Sequence, residues 1–189
     1  MGAIALLDAN VLWSAAVRDT LLLAAERGLY RPIWTLQILD EMARNLKAKR
    51  PDLAPYRIDR TVSQMCDFFP DALVSGYDDL IPRMRNHEGD RHVLAAAVRG
   101  DASIIVTWNR SHFPPTECAT YGIEVLTPDE FLCRLWDQNS AQMVSVLEEQ
   151  SSHLVNPSRT PQQILETLQL SLPAFVQMAL HSGLFPRMP

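Results

Sequence analysis

Cysteine is scarce in this chain, and the three present, Cys66, Cys118 and Cys133, stand far apart. There is no Cys-x-x-Cys pair and no Cys/His cluster to suggest zinc, and an odd number argues against a disulfide framework. They read as reduced, mostly buried thiols of a cytoplasmic protein. A leader is not expected either: the N-terminus has no basic n-region and runs into Asp8 almost at once, so it reads as a strand and not a signal peptide. Gly2 follows Met1, but Leu6 stands where a myristoylation signal wants Ser or Thr. No apolar run is long enough to cross a bilayer, so no membrane partner is expected. Positive charge is also in short supply. A net charge of −5 gives no general attraction to nucleic acid, so a polyanion would have to meet a local basic patch. Neither repeats nor low-complexity tracts occur, and 189 residues suffice for one ordinary domain with a small appendage.

What the chain does contain is four short segments that place an acid or amide where a strand ends or a helix begins. They are Leu6-Leu7-Asp8-Ala9-Asn10, Leu39-Asp40-Glu41-Met42, Gly89-Asp90-Arg91-His92 and Val106-Thr107-Trp108-Asn109. The first and last follow apolar runs, Ala3 to Leu7 and Ile104 to Val106, that read as buried parallel strands. In open α/β sheets functional groups gather beyond the carboxyl ends of the strands. Carboxylates converging there repel one another unless a cation sits among them, and an all-oxygen site suits Mg²⁺ or Mn²⁺. The pattern points to metal-dependent phosphodiester chemistry.

Strand and helix signals alternate, which predicts an α/β fold with a parallel sheet and helices on both faces. Asn10 to Arg27 reads as one helix ended by Gly28. Arg31 to Trp34 reads as a second strand, and Thr35 as the N-cap of a helix reaching about Lys49. Residues 56 to 69 suggest another helix and Ala72-Leu73-Val74 a short strand. Tyr77 to Gly89 reads as a short helix and a loop. A helix follows from about Asp90 to Gly100, then the Ile104 strand, a turn-rich stretch from Asn109 to Pro115, and a strand around Glu124 to Leu126. Thr127-Pro128-Asp129-Glu130 carries the signature of a capping box, and Thr160-Pro161-Gln162-Gln163 repeats it. Beyond about Gln138 only helices are expected, one of them striped by Leu165, Leu168 and Leu172. The domain boundary expected is therefore 1–137 for an α/β domain and 138–189 for a helical extension.

Four motifs together resemble the PIN domain, the nuclease fold of VapC-type toxins and several RNA-processing nucleases. They are Leu6 to Leu12, Ile38 to Leu46, Asp90 to Ala97 and Ile105 to Pro114, spanning roughly residues 4 to 135. The helical tail resembles the C-terminal extension of one VapC-like subgroup. The resemblance implies a three-layer α/β/α sandwich around a central parallel sheet, and a metal-dependent endoribonuclease. Asp8, Glu41 and Asp90 match the family's three acid positions for Mg²⁺ or Mn²⁺, and Asn109 stands at the fourth, which is commonly Asp. An amide oxygen can ligate or orient water but adds no charge. The implied setting is a toxin–antitoxin pair in which a cognate antitoxin blocks the acidic pocket, plausibly with an arginine. The RNA substrate is left open by the motifs, and a homodimer is usual in similar proteins.

Each residue also has a plainer reading. Asp8 suits the N-cap of the following helix, and Asn10 suits a turn, although holding the Asp8 carboxylate is its functional role. Asp40 rivals Glu41: neighbours on a helix point about 100° apart, and apolar residues at 38, 42 and 46 do not separate the two. Asp90 at a helix start is favoured by the dipole alone. Arg91 either meets a phosphate or pairs with Glu88, and His92 reads as structural. Thr107 and Asn109 face one side of an extended segment, where the Thr107 hydroxyl can orient a carboxylate or water. His112 either reaches substrate or serves the Phe113-Pro114 turn. Arg44 and Arg110 are the candidates for RNA phosphates, given the planar fork of guanidinium. Two rivals remain. A haloacid-dehalogenase-type phosphatase would need an Asp where Asn10 stands, and a PIN domain that binds RNA or protein without cutting finds support only in Asn109.

Overall fold

The computed structural model describes residues 2–154 and 157–185. Four short strands form one sheet: Ile4–Leu7 (β1), Arg31–Ile33 (β2), Ile104–Val106 (β3) and Glu124–Leu126 (β4). All neighbours are parallel, in the order β2-β1-β3-β4. The two central strands are almost wholly buried, which is why they are continuous apolar runs and not alternating ones. Pro32 lies in β2 at the sheet edge, where a missing N–H costs no ladder bond to a further strand. From β1 the chain goes first to β2 on one side and later to β3 on the other. The switch in strand order therefore falls between β1 and β3, the place where such sheets open a crevice at their carboxyl ends. Leu7 is in register with Val106, so Asp8 and Thr107 emerge side by side.

The helix expected over Asn10 to Arg27 is instead two, Ala9–Leu12 (α1) and Ala15–Glu26 (α2). Ser14 breaks the run: it is extended, with φ −77° and ψ 110°, and its carbonyl starts a new helix by accepting from Arg18 N. Gly28 takes φ +74° just past α2, as a C′ glycine should. Thr35 caps Leu36–Lys49 (α3) by accepting from Ile38 N at 3.1 Å. Pro55–Phe68 (α4) packs on α3 but buries only Ile58 and Met65. The strand expected at 72 to 74 is reduced to one parallel bridge between Trp34 and Leu73. A 3-10 turn at Pro70–Ala72 leads into it and Gly76, at φ +68°, turns the chain away, so no length is left for a ladder.

Between Tyr77 and Asp90 the chain makes two 3-10 turns, Ile81–Arg83 and Glu88–Asp90, and then enters Arg91–Arg99 (α5). This helix buries His92 to Ala97 and touches β1 and β3. Gly100 ends it. A Cβ at Gly100 would lie 2.5 Å from Ile33 Cδ1 and 2.9 Å from Val74 Cγ2, so Gly100→Ala should overpack the core. The expected loss is about 1–3 kcal/mol, measurable as a lowered denaturation midpoint; an unchanged midpoint would mean that the β2 edge yields freely. The turn-rich stretch after β3 contains a 3-10 turn at Arg110–His112 and a short helix not expected from sequence, Pro115–Ala119 (α6), opened by proline at its first position.

Helices alone follow: Pro128–Gln138 (α7), Ser140–His153 (α8), Pro161–Leu168 (α9) and Pro173–His181 (α10). Both expected capping boxes are formed, at Thr127/Glu130 and Thr160/Gln163. Leu165 and Leu168 belong to α9, but Leu172 lies beyond it and caps α10; all three are buried. No helix among the described residues is long and apolar enough to cross a membrane.

The chain divides into two compact units, Met1–Trp13 with Tyr30–Leu126, and Ser14–Leu29 with Thr127–Pro189. The first holds the sheet with α1 and α3 to α6. The second joins α2 to the C-terminal helices. There Thr20 donates to Gln150 at 2.8 Å, Gln150 donates to Ala16 O at 3.0 Å, and Arg27 pairs with Glu149 at 2.7 Å. Asp129 accepts from Ala174 N and Phe175 N and so caps α10, while Trp136 meets Phe175 edge-on. The unit boundary at 126/127 and the one read from sequence at 137/138 differ by helix α7.

Candidate active site

Asp8 is the first residue past β1, and it caps α1 from an extended backbone. Its side chain is 4% exposed. Oδ1 accepts from Ala9 N at 2.7 Å, and Oδ2 accepts from Asn10 Nδ2 and from the Thr107 hydroxyl, both at 2.7 Å. A carboxylate has about four acceptor positions, so three bonds aim this group and leave one direction open. Its pKa is pushed up from 3.8 to about 6. Burial is the main cause, and the charges of Asp90 and Glu41 add to it, against the lowering effect of the Thr107 and Ala9 bonds.

Thr107 and Asn10 form the frame around Asp8. The Thr107 hydroxyl donates to Asp8 and accepts from Asn10 Nδ2 at 2.9 Å and Asn109 N at 3.0 Å. Asn10 Oδ1 accepts from Trp108 N at 3.0 Å. The ends of β1 and β3 are thus tied through side chains as well as through the Asp8 N to Val106 O bond. Asn109 itself is exposed at the mouth of this frame.

Helix α3 separates the two candidate acids. Ile38, Leu39, Met42 and Leu46 go into the core, Asp40 is exposed, and Glu41 is half-buried. Asp40 instead lines a cleft of about 620 Å³ with Gln37, Arg44, Lys47 and Asp59. Glu41 Oε1 accepts from Gln37 Nε2 at 3.2 Å and lies 3.4 Å from His92 Nε2. That histidine is 5% exposed, and among the described residues its Nε2 has no hydrogen-bond partner of good geometry. The contact to Glu41 is therefore electrostatic. Burial pushes the Glu41 carboxyl up, but His92, Gln37 and Arg44 together hold it below its ordinary value. For His92, burial pulls down, but the close contact with the Glu41 carboxylate, together with the charges of Glu41, Asp8 and Asp90, outweighs it, so its pKa is raised. Arg44 is 4.0 Å from Glu41 with 74% of its side chain exposed, too open a pair to add much stability.

Asp90 does not cap α5 with its side chain. Its Oδ2 lies instead 2.5 Å from His112 Nδ1. His87, three residues before Asp90 in the same turn, stacks on His112 with ring centroids 4.2 Å apart and planes 16° apart. Arg91 is half-buried and reaches the carbonyl of Asn86 at 3.4 Å, not Glu88. Arg110 is exposed at the start of the 3-10 turn that ends in His112.

The structure thus brings Asp8, Asn10 and Thr107 into direct contact, and Glu41 and Asp90 into the same electrostatic field. Among the described residues, however, the three potential metal ligands that approach within 4.8 Å of one another are His87, Asp90 and His112. Sequence reading passed over His87. The spacing to Asp90 was the available signal, because residues i and i+3 eclipse in a 3-10 turn. From sequence His92 reads as structural, because nothing in its own helix shows that it faces Glu41 from α3.

A family model described as PIN domain matches residues 5–111, and one described as VapC50 C-terminal domain matches residues 128–181. The chain is 41% identical over 115 residues to a protein of Mycobacterium tuberculosis (strain ATCC 25618 / H37Rv) named "Putative ribonuclease VapC50", a match covering 61% of this chain and 67% of that protein. No solved structure matches significantly. The PIN match extends over more than half of the sequence and over every strand but β4, and it agrees with a parallel sheet whose order switches between β1 and β3: the chain belongs to the PIN-domain family.

Proposed function

We propose that this chain is a metal-dependent endoribonuclease, the toxin of a toxin–antitoxin pair acting in the cytoplasm. The observation that carries the reading is Asp8: a buried carboxylate, raised to about 6, held at the strand switch point in the field of Asp90 and Glu41. The donor set is all oxygen and like-charged, which fits Mg²⁺ or Mn²⁺ held by Asp8, Glu41 and Asp90. When bound, such an ion activates water and neutralises charge on a scissile phosphate.

The chain's own residues then have defined tasks. Asn10 and Thr107 hold the Asp8 carboxylate in one orientation, and His92 with Gln37 does the same for Glu41. Arg44 and Arg110, exposed nearby, take RNA phosphates. Asn109 orients water at the mouth without adding charge, and Arg91 and His112 keep the Asp90 turn in place through Asn86 O and the Asp90 carboxylate. Residues 1–137 carry the chemistry and 138–189 serve as the helical extension. A cognate antitoxin inserts an arginine among the acids, and a homodimer of the nuclease fits the same reading.

The test is cleavage of structured RNA by the purified protein with Mn²⁺ or Mg²⁺, beside an EDTA control and an Asp90→Asn variant shown to be folded. Cleavage should vanish in EDTA and fall more than about 100-fold in the variant, since even outer partners of metal ligands are worth 10–100-fold. Cleavage that persists in the variant removes Asp90 from the site. No cleavage by the parent, free of antitoxin, would favour a PIN domain that binds without cutting.

A further inference from the structure

Beside the acid pocket lies a group of different chemistry, one that the nuclease reading does not require. His87, Asp90 and His112 offer two imidazoles and one carboxylate whose ligand atoms lie within 4.8 Å of one another. We propose that they form a transition-metal site, of the zinc class, which shares Asp90 with the acid pocket.

Three features support it. The donor set is the wrong one for magnesium, which prefers oxygen in a near-octahedral shell, and the right one for zinc, cobalt or nickel, which take imidazole readily. Two histidines and a carboxylate are a known three-ligand set for zinc, with the fourth position left for water. The two loops are also fixed to each other independently of any ion. His87 N donates to His112 O at 3.0 Å, and buried Asn86 donates through Nδ2 to Asp90 O at 3.0 Å. These main-chain ties set the side chains at one spot, so little ordering is left for binding to impose.

Binding requires two adjustments. Ligands about 2.0–2.2 Å from a tetrahedral zinc lie roughly 3.3 Å apart, so the 2.5 Å contact between Asp90 Oδ2 and His112 Nδ1 must open and give up its proton, and separations that reach up to 4.8 Å must close. His87 is exposed and its Nδ1 accepts only a long 3.3 Å bond from Gly89 N, so its ring can close the gap by rotation. The cysteines offer no competing cluster among the described residues. An ion held here sits against the Asp90 carboxylate and couples transition-metal supply to the acid pocket.

The experiment uses the full chain stripped of metal, with Zn²⁺ affinity measured by competition against a chromophoric chelator and Co²⁺ as a spectroscopic probe. One Zn²⁺ should bind per chain, at least about tenfold more weakly in His87→Ala and in His112→Ala. Asp8→Asn should stay within about threefold of the parent, because Asp8 belongs only to the oxygen set. His87→Gln, at an exposed position, serves as a second variant, and thermal melts verify folding. Unchanged affinity in both histidine variants would overturn the site. So would an equal loss in Asp8→Asn, which would move the zinc into the acid pocket, or a thiolate charge-transfer band with Co²⁺, which would move it to cysteine. None of these readings depends on RNA cleavage, so failure of the nuclease assignment leaves the result interpretable.

Discussion

In metal-free buffer at pH 7 the Asp8→Asn variant should unfold at a higher denaturant concentration than the parent, while its RNA cleavage, measured with Mg²⁺ or Mn²⁺ restored, falls more than about 100-fold. The two effects have one origin. Asp8 has its pKa raised from 3.8 to about 6 by burial and by the neighbouring acids. Folded Asp8 therefore holds its proton more tightly than unfolded Asp8. The stability this group contributes is complete below pH 4 and is lost as the pH rises through about 6. A shift of that size corresponds to about 3 kcal/mol at neutral pH. An asparagine carries no charge and escapes that cost, but its single carbonyl cannot satisfy all three donors now aimed at Asp8, a loss of about 1–3 kcal/mol. The net gain at pH 7 is then at most about 2 kcal/mol, and below pH 4 the sign reverses and the variant is the weaker protein. Denaturant unfolding at pH 4 and pH 7 in EDTA decides the matter. If the difference between parent and variant is the same at both pH values, folding does not raise the Asp8 pKa.

The buried Asp8 carboxylate also marks what can and cannot be read from sequence. Asp8 was conspicuous because it ends an apolar run, and the four strands, the Thr35 cap and the capping boxes at Thr127 and Thr160 are local patterns of a few residues. What local pattern could not supply is anything that depends on strand register. Thr107 reaches Asp8 across 99 positions because Leu7 pairs with Val106, and His112 reaches Asp90 only once the loop after β3 folds back on the turn before α5, where His87 N donates to His112 O. For a related reason periodicity alone does not separate Asp40 from Glu41, which only the resemblance selects. The apolar positions of α3 define its buried face, but whether the flank carrying Glu41 meets a partner depends on His92 from α5. The break at Ser14 escaped notice because Ala9 to Glu26 keeps helical spacing of its apolar residues through the break. With that break, α2 joins the C-terminal helices through Thr20, Gln150 and Arg27, contacts that no segment reading anticipates.

Thr107→Val should be nearly as damaging as losing an acid, although the two side chains have almost the same shape. Thr107 is fully buried, so no water replaces its hydroxyl. Removing it deprives Asn109 N of its acceptor and Asn10 Nδ2 of one of its two, and deletes one of the two donors on Asp8 Oδ2. Two under-satisfied donors at about 1–3 kcal/mol each predict a loss of about 2–6 kcal/mol, or a melting temperature lower by roughly 4–24 °C for a chain of this size. Activity should fall about 10–100-fold, as expected when a partner that orients a metal ligand is lost. The pH profile separates this from simple destabilisation. The Thr107 bond lowers the Asp8 pKa, so its removal raises that pKa and carries the acidic limb of the rate profile to higher pH. Thr107→Ser keeps the hydroxyl and loses only a methyl group, so it should restore the limb and most of the rate at a cost of about 1 kcal/mol. Equal impairment of the serine and valine variants, or an acidic limb that does not move, would assign Thr107 to packing and take it out of the frame that aims Asp8.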